Sequence, residues 1–306
     1  MQTEAKQVGS GVMPVIEEAA GVPPKSKEWK RFWRTMLSRK IVVLGMAVLA
    51  IAFLTAVFAP FIAPYDPVAQ NLSNSLKPPS SQHLLGTDAL GRDVLSRIIY
   101  GTRVSLAVGF VSVAIAGTVG MLLGLVSGYA GGWVEAVVMR MMDVMMSVPL
   151  IILALFIGSV LGKGLGNVML AVGIGLIPTY ARLTRGQVKS IKQLDYVTAG
   201  TISGAGKLKN AFVHILPNCI SPNIVLMTMN LGAAILIEAA LSFLGLGINP
   251  PMASWGAMVS DGYNHLRTLP VLSIAPGVVI MLVVLAFNIV GDALRDTLDP
   301  RLRGSL

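Results

Sequence analysis

Six long apolar stretches separated by polar connections dominate the pattern along the chain. A helix needs about 20 apolar residues to cross ~30 Å of hydrocarbon at 1.5 Å per residue. The pattern therefore predicts six membrane-spanning helices, although the fourth stretch is short and interrupted by Pro178 and the third carries Glu135, Arg140 and Asp143 near its start. The stretches are 41–62, 104–127, 134–160, 168–182, 222–245 and 271–291.

Composition agrees with an all-α integral membrane protein. Hydrophobic residues make up 54% of the 306 residues and charged residues only 13%, whereas soluble domains carry about 25% charged residues. Cysteine occurs once, at Cys219, which excludes an intrachain disulfide and a thiolate metal cluster. The three histidines are far apart in sequence and form no set with the spacing of metal ligands.

The polar segment 1–40 ends in a basic run that leads directly into the first apolar stretch. A signal peptide has a similar outline, but its charged region is short and its apolar region has about 7–15 residues. The apolar stretch here starts too late and runs too long for that class. We therefore expect 41–62 to be an uncleaved first transmembrane helix.

Lysine and arginine are retained on the cytoplasmic side of membrane proteins, so their distribution predicts the orientation. With both termini cytoplasmic, seventeen basic residues fall on the cytoplasmic side and six on the other. The net charge of +9 then reflects topology, with some attraction to anionic lipid, and not a nucleic-acid site. The predicted order is a cytoplasmic segment 1–40, a first helix 41–62, a periplasmic loop 63–103, a transmembrane core 104–291 and a cytoplasmic tail 292–306.

The cytoplasmic connection 183–221 is far longer than the roughly 2–8 residues that usually join two helices. Asp195 is placed to cap a helix starting at Tyr196, and Gly204 would end that helix after two to three turns. A second short helix follows, and Pro217 is expected to stop it. Two short helices joined by small residues predict a docking surface for another protein. The alternative is an amphipathic linker lying on the lipid headgroups.

The spacing of Thr198-Ala199-Gly200, Gly204 and Ile215-Leu216-Pro217 resembles the EAA motif of ABC importer permeases. In that family the motif forms a coupling helix that docks into a cleft of the ATP-binding subunit. Thr198 stands where glutamate is usual, and Gly200 stands where the second alanine is usual. The resemblance implies an ATPase-coupling site formed by Asp195, Thr198, Ala199, Gly200, Gly204, Ala205, Ile215, Leu216 and Pro217.

Six further segments, in the right order, are similar to signatures of the C-type subunit of dipeptide, oligopeptide, glutathione and nickel importers. They are HLLGTDALGRDVLSR (83–97), GTRVSLAVG (101–109), MRMMDVMMSVP (139–149), ARLTRGQ (181–187), LSFLGLGINPPMASWGAM (241–258) and LAFNIVGDALRDTLDPRLRG (285–304).

This resemblance implies a type I ABC importer (MetI-like) permease fold in the inner membrane of a bacterium or archaeon. It also implies four kinds of partner: a homologous second permease, two ATP-binding subunits that hold ATP and Mg, a substrate-binding protein and membrane lipid. Di- or oligopeptides are the implied substrate, with nickel chelate, glutathione and oligosaccharide as alternatives.

Charged residues outside the connection 183–221 have two interpretations each. Asp88/Arg92 and Asp93/Arg97 are each four residues apart with the acid first, which predicts either an exposed, ion-paired helix or a rim that contacts the binding protein or partner permease. Glu238 lies within a predicted span, where a charge is costly. It could line the translocation path, or be protonated or hydrogen-bonded at a subunit contact.

Catalytic motifs are missing from the sequence. Gly162-Lys163 is followed by Gly164 and not by the Ser or Thr of a phosphate-binding loop, and no Gly-x-Ser-x-Gly is present. We therefore expect no intrinsic ATPase or hydrolase activity. Two other classes are alternatives: a self-sufficient secondary transporter, which would show inverted repeats and ion ligands at midplane, and a membrane hydrolase.

Overall fold

The computed structural model describes Trp33, Arg34 and residues 36–298. Most of the predicted segment 1–40 and the end of the tail 292–306 lie outside these residues. The described part is built from helices, and the long connection 63–93 contains a 3-10 turn at Leu72–Asn74. The helices are α1 (Lys40–Ile62), α2 (Val94–Ala130), α3 (Gly132–Met146), α4 (Leu150–Leu161), α5 (Leu165–Ile191), α6 (Asp195–Ile202), α7 (Lys207–Phe243), α8 (Trp255–Tyr263) and α9 (Val271–Leu298).

Four of these helices, α1, α2, α7 and α9, are long and apolar enough to cross a membrane. The pair α3 and α4 would make a fifth span, although its two helices are bent by 95° relative to each other. Helix α5 has 27 residues but carries basic side chains in its second half, and it is not among these candidates. Length and composition thus support four to five spans, and the expected six remains a prediction.

Helices α2 and α5 form the closest pair in the described chain, and they run in the same direction. A Cβ atom on Gly173 of α5 would lie 3.1 Å from the carbonyl oxygen of Ser112, and one on Gly128 of α2 would lie 2.9 Å from Cβ of Val188. Positions 112 to 128 of α2 therefore meet positions 173 to 188 of α5 in the same order. The two helices are parallel.

Glycines on α2 make this approach possible. A Cβ on Gly120 would lie 2.5 Å from Cβ of Tyr180, and a Cβ on Gly124 would lie 2.5 Å from the carbonyl oxygen of Ala181. Small residues four apart let helix backbones pack closely within a membrane. The glycine spacing of this helix thus serves contact within the subunit.

Helix α7 is antiparallel to α2. A Cβ on Gly109 would lie 3.3 Å from Ile235, and a Cβ on Gly117 would meet Met227. The main apolar core lies where α2, α5, α7 and α9 meet.

Helix α9 is antiparallel to α7, with Gly232 beside Val284 and Gly291 beside Met229. Helix α1 packs on α2 and α9.

The helix ends fall into two groups. The starts of α1 and α7 and the ends of α2, α5 and α9 lie together with α6, and we call this the α6 end. Arg39, just before α1, forms a 2.8 Å ion pair with Asp296 near the end of α9 there. The connection between α1 and α2, the segment after α7, and α8 lie at the opposite end.

Residues 131–164 run from one end of the molecule to the other. Gly131 follows α2 at the α6 end, whereas the amide of Gly164 donates to the carbonyl oxygen of Gly247 (3.4 Å) at the opposite end. The predicted stretch 134–160 is not one continuous helix, because Pro149 adopts an extended conformation between α3 and α4. Proline lacks the amide proton of a helix interior and disfavours a helical conformation in the preceding residue.

Other predicted bounds also change. Helix α2 begins at Val94, so the expected loop 63–103 is a connection only as far as Asp93. Helix α5 continues through Pro178, since its packing on α2 offsets the hydrogen bond that this proline cannot make. The expected connection 183–221 shrinks to 192–206, because α5 extends to Ile191 and α7 begins at Lys207.

Candidate functional site

The predicted coupling segment contains a short helix, α6, exposed at one end of the molecule. Its first residue is Asp195, and the preceding Leu194 makes no side-chain cap. The predicted cap by Asp195 is therefore wrong. Its carboxylate instead lies in the first turn, where negative charge interacts favourably with the helix dipole.

The small residues of the segment lie at its surface. Thr198 and Ala199 are exposed, and Gly200 and Ala205 are half-buried. Gly204 is exposed and has φ of 83°, a left-handed conformation that glycine adopts without strain. As predicted, it follows the end of the first short helix, which closes at Ile202.

The second half of the segment forms the start of α7. Ile215 is buried, Leu216 is half-buried and Pro217 is exposed. Pro217 does not stop a helix as we predicted, because a π-helical turn over Asn210–Ile215 runs directly into the α-helix from Leu216. The wider π turn accommodates a proline that cannot donate the usual backbone hydrogen bond.

Helix α6 rests on an apolar cluster that joins it to three longer helices. Val197 is 3% exposed and packs with residues of α2, α5 and α7. Burial of this kind is favourable but has no preferred direction. The other buried members of the cluster are Leu125, Val188, Ile191, Ala211, Ile215 and Cys219.

Polar contacts hold α6 on α7 at both of its ends. Near its start, the hydroxyl of Tyr196 accepts a hydrogen bond from Nδ2 of Asn218 (3.1 Å) and donates to the carbonyl oxygen of His214 (3.4 Å). Near its end, Oγ1 of Thr201 accepts a hydrogen bond from Nδ2 of Asn210 (2.9 Å).

Sequence reasoning missed these four side chains, Tyr196, Thr201, Asn210 and Asn218. Their pairing joins residues 9 and 22 positions apart. No helical spacing signals such a contact.

Ion pairs bind the bent pair of helices to α5 near the same end. Glu135 accepts hydrogen bonds from Nε of Arg185 (2.6 Å) and Nζ of Lys189 (2.8 Å). Asp143 pairs with Arg182. Basic side chains of α5 thus contact acids of α3.

At the opposite end, Asp88 and two arginines form a compact network. Nε of Arg92 donates to Oδ2 of Asp88 at 2.7 Å, and Nε of Arg97 lies 3.5 Å from the same oxygen. Arg92 and Arg97 are 6% and 3% exposed. The predicted Asp88/Arg92 pair is confirmed, but the residues do not form an exposed helix, because 88–91 is a turn that precedes α2.

The predicted Asp93/Arg97 pair is wrong. Asp93 caps α2: its Oδ2 accepts hydrogen bonds from the amide (2.8 Å) and hydroxyl (2.7 Å) of Ser96. Its Oδ1 lies 2.9 Å from Nδ1 of His83. A carboxylate at an N-cap satisfies amides that have no partner within the helix, so Asp93 has no free oxygen for Arg97.

Asp88, Arg92 and Arg97 line part of a cavity of about 490 Å³ at this end of the molecule. Its wall also carries Lys163, Asp261 and His265. Partial desolvation raises the pKa of Asp261, and the positive charges of Arg97 and Arg92 act in the opposite direction. The cavity therefore combines both signs of charge.

Glu238 does not line an open path in this structure. Its side chain is fully buried, and Oε1 accepts a hydrogen bond from the hydroxyl of Ser242 at 2.8 Å. The hydroxyls of Ser254 and Ser105 also interact with the carboxyl group, while Oε2 has no partner within hydrogen-bond distance. The expected hydrogen bonding of Glu238 is found within the subunit, in a polar cluster between α7, α2 and the start of α8. A role in the pathway or at a subunit contact stays a prediction.

Comparison with known families gives two matches on different parts of the chain. The family described as "Binding-protein-dependent transport system inner membrane component" matches residues 120–304. The family described as "N-terminal TM domain of oligopeptide transport permease C" matches residues 27–79. The first match covers more than half of the chain.

Individual relatives extend the similarity over nearly the whole length. A di/tripeptide transport system permease protein of Pseudomonas aeruginosa is 43% identical over 90% of this chain and 93% of its own length. A dipeptide transport system permease protein of Haemophilus influenzae is 42% identical over 90% and 95%. A glutathione transport system permease protein of Pectobacterium atrosepticum is 41% identical over 95% and 96%.

These matches confirm the resemblance that the sequence motifs carry. The chain belongs to the family of inner-membrane components of binding-protein-dependent transport systems.

Proposed function

We propose that this chain is a permease subunit of an ATP-driven importer of short peptides and forms half of the translocation pathway. The observation that carries the proposal is the position of α6. This helix is exposed at one end of the molecule, yet it is tied by Val197, Tyr196 and Thr201 to helices that run to the other end. A push on α6 therefore reaches the helices of the core.

The proposed complex contains a homologous second permease and two ATP-binding subunits, with a substrate-binding protein delivering the peptide and lipid surrounding the spans. ATP and Mg belong to the ATP-binding subunits, so this chain is not itself the enzyme. No nucleic acid is involved. In support, the family is named for a binding protein, and the relatives are named as permeases.

We propose six crossings of the bilayer with both termini in the cytoplasm. The directions of the helices support this count. Because α2 and α5 are parallel, the chain has to cross back between the end of α2 and the start of α5, and the bent pair α3 and α4 makes that crossing. Basic side chains also favour a cytoplasmic α6 end, because they concentrate there at Arg39, Lys40, Arg182, Arg185, Lys189, Lys192, Lys207, Lys209 and Arg295.

Short peptides are the proposed cargo because relatives of this chain are named for dipeptides, di/tripeptides and glutathione, which is itself a tripeptide. Nickel chelate and oligosaccharide have no such support. A self-sufficient secondary transporter is also disfavoured, since a family defined by dependence on a binding protein does not match that class.

Uptake by the reconstituted complex tests the proposal. Proteoliposomes holding this chain, its co-expressed partners and the binding protein should accumulate a labelled dipeptide only with internal ATP. Ala199→Glu should lower uptake at least about tenfold, because a long charged side chain prevents close contact at an exposed position of α6. Ala199→Ser, which stays small, should retain uptake. Accumulation by the isolated chain without nucleotide would contradict the proposal.

A further inference from the structure

The amide of Asn210 lies between α6 and the start of α7 and is almost completely buried. Its exposed fraction is 2%. Nδ2 donates to Thr201 Oγ1 at 2.9 Å, while Oδ1 has no hydrogen-bond partner. Burial of an unpaired carbonyl oxygen is unfavourable. A leucine has nearly the same shape and would avoid this penalty, so stability alone does not account for an asparagine here.

The room for this amide comes from Gly200. A Cβ atom on Gly200 would lie 3.3 Å from Oδ1 of Asn210, which is tighter than ordinary van der Waals contact. Gly200 is also one of the two positions where the sequence departs from the EAA motif, in which alanine is usual. Glycine in place of the usual alanine at position 200 therefore leaves room for the buried amide of Asn210.

One apolar contact and two hydrogen bonds between side chains hold α6, and they restrict different movements of this helix. The apolar contact of Val197 resists separation but lets the helix slide or roll, since hydrophobic burial is not directional. Hydrogen bonds weaken steeply when their angle or length changes. The Asn210–Thr201 bond at one end of α6 and the Asn218–Tyr196 bond at the other therefore fix its position along α7.

We propose that Asn210 is a positioning residue that makes α6 and the start of α7 move as one body. This inference rests on the proposed function, in which partner subunits push α6. Because Asn210 is buried, it acts through α6 and not by touching those subunits. Without the Asn210–Thr201 hydrogen bond, α6 would shift on the apolar cluster beneath it, and part of each ATP-driven movement would not reach α7.

Asn210→Leu in the complete complex tests this role. We expect the number of dipeptides imported per ATP hydrolysed to fall about three- to tenfold, because hydrolysis continues while the movement is lost. Assembly with the ATP-binding subunits and the thermal midpoint of the complex should stay equal or rise, because the unpaired buried oxygen is removed. Thr201→Val, which deletes the other half of the same bond, should lower the ratio to a similar extent.

Asn223→Leu is the matched control. Nδ2 of Asn223 also donates to a threonine of a neighbouring helix, Oγ1 of Thr184 at 3.0 Å, but the bond joins α7 to α5. This amide is also bonded to the carbonyl oxygen of Cys219 at 2.8 Å. We expect this variant to lower the thermal midpoint and to leave the import ratio near that of the unaltered complex.

A second measurement does not depend on partners. In the detergent-solubilised chain, backbone amides of 195–202 should exchange with deuterium about two- to tenfold faster in Asn210→Leu than in the unaltered protein, which corresponds to loss of one hydrogen bond.

An unchanged import ratio in an intact Asn210→Leu complex, or a ratio that falls only in parallel with assembly, overturns the inference. Unchanged exchange at 195–202 overturns it as well. A complex that never imports with ATP refutes the proposed function, and the exchange experiment still decides whether Asn210 holds α6.

Discussion

Asp88 shows how much one side chain does at the end opposite α6. Its Oδ2 faces both Arg92 and Arg97, and its Oδ1 accepts from the amides of Leu90 and Arg92 at 2.9 Å each. Arg97 also donates to the carbonyl oxygen of Pro67 at 3.3 Å. Asp88 therefore holds the turn before α2 and, through Arg97, the connection from α1.

Asp88→Asn should destabilise the protein strongly. The substitution removes the carboxylate that two largely buried guanidinium groups share, and removal of one partner of a buried ion pair costs about 3–5 kcal/mol. We expect a clear fall in the thermal midpoint of the detergent-solubilised chain. Asp66→Asn is the control, because Asp66 makes a local turn contact with the amide of Val68 (2.9 Å) that asparagine reproduces. Equal midpoints for the two variants would contradict this view of Asp88.

At this scale, sequence spacing predicted contacts only where they are local. The four-residue rule found Asp88 with Arg92, but it also paired Asp93 with Arg97, whereas Asp93 caps α2 and meets His83. Nothing in the sequence indicated that Asn210 and Thr201 face each other. That contact depends on how α6 folds back on α7.

The closest pair of elements, α2 and α5, depends on the absence of side chains along one face of α2. A Cβ on Gly124 would lie 2.5 Å from the carbonyl oxygen of Ala181 and 2.6 Å from Cβ of Thr184. Neither is the tip of a flexible side chain. Even a methyl group at this position forces the two helices apart.

Gly124→Ala should therefore destabilise the fold although alanine is the better helix former. Overpacking of a tight interface costs about 1–3 kcal/mol, which exceeds the gain of up to ~1 kcal/mol in helix propensity. Gly186→Ala, on α5, has no atom within 4 Å of the added carbon and should be neutral or stabilising. Thermal unfolding of both variants in detergent checks this. A Gly124→Ala protein as stable as the original would show that the helices are not in close contact.

The bounds of α1 were predictable although Pro60 lies inside it, whereas the effect of other prolines on helix bounds was not. Pro149 separates two helices, yet Pro178 lies inside one and Pro217 follows a π turn. The difference lies in tertiary contacts. Pro178 is in a helix held against α2, and the sequence alone does not reveal that support.

For the whole molecule, the directions of the helices indicate the number of membrane crossings better than apolarity alone. Four spans satisfy length and composition, but the parallel arrangement of α2 and α5 requires an additional passage between them. Basic residues in the sequence predicted the orientation without using the structure. The return through a pair bent by 95° could not be predicted, because the apolar run 134–160 looks continuous.

Cysteine accessibility tests this passage. In a Cys219→Ala background, single cysteines at Gly131 and Gly204 should react with a membrane-impermeant maleimide only after the cytoplasmic face is exposed. A cysteine at Lys163 should react from the periplasmic face of intact cells. Reaction of positions 131 and 163 from the same side would refute six crossings.

The tight seam between α2 and α5 has a consequence for how the polypeptide could be divided. These two helices are held by direct contact along their length. The polypeptide that connects them leaves α2 through Gly131 and Gly132, where an added side chain would meet nothing within 4 Å. Backbone continuity at 131–132 is thus not what keeps the bundle together. Two separately translated fragments, divided at this point, should therefore associate in the bilayer, because one carries the α2 side and the other the α5 side of this contact.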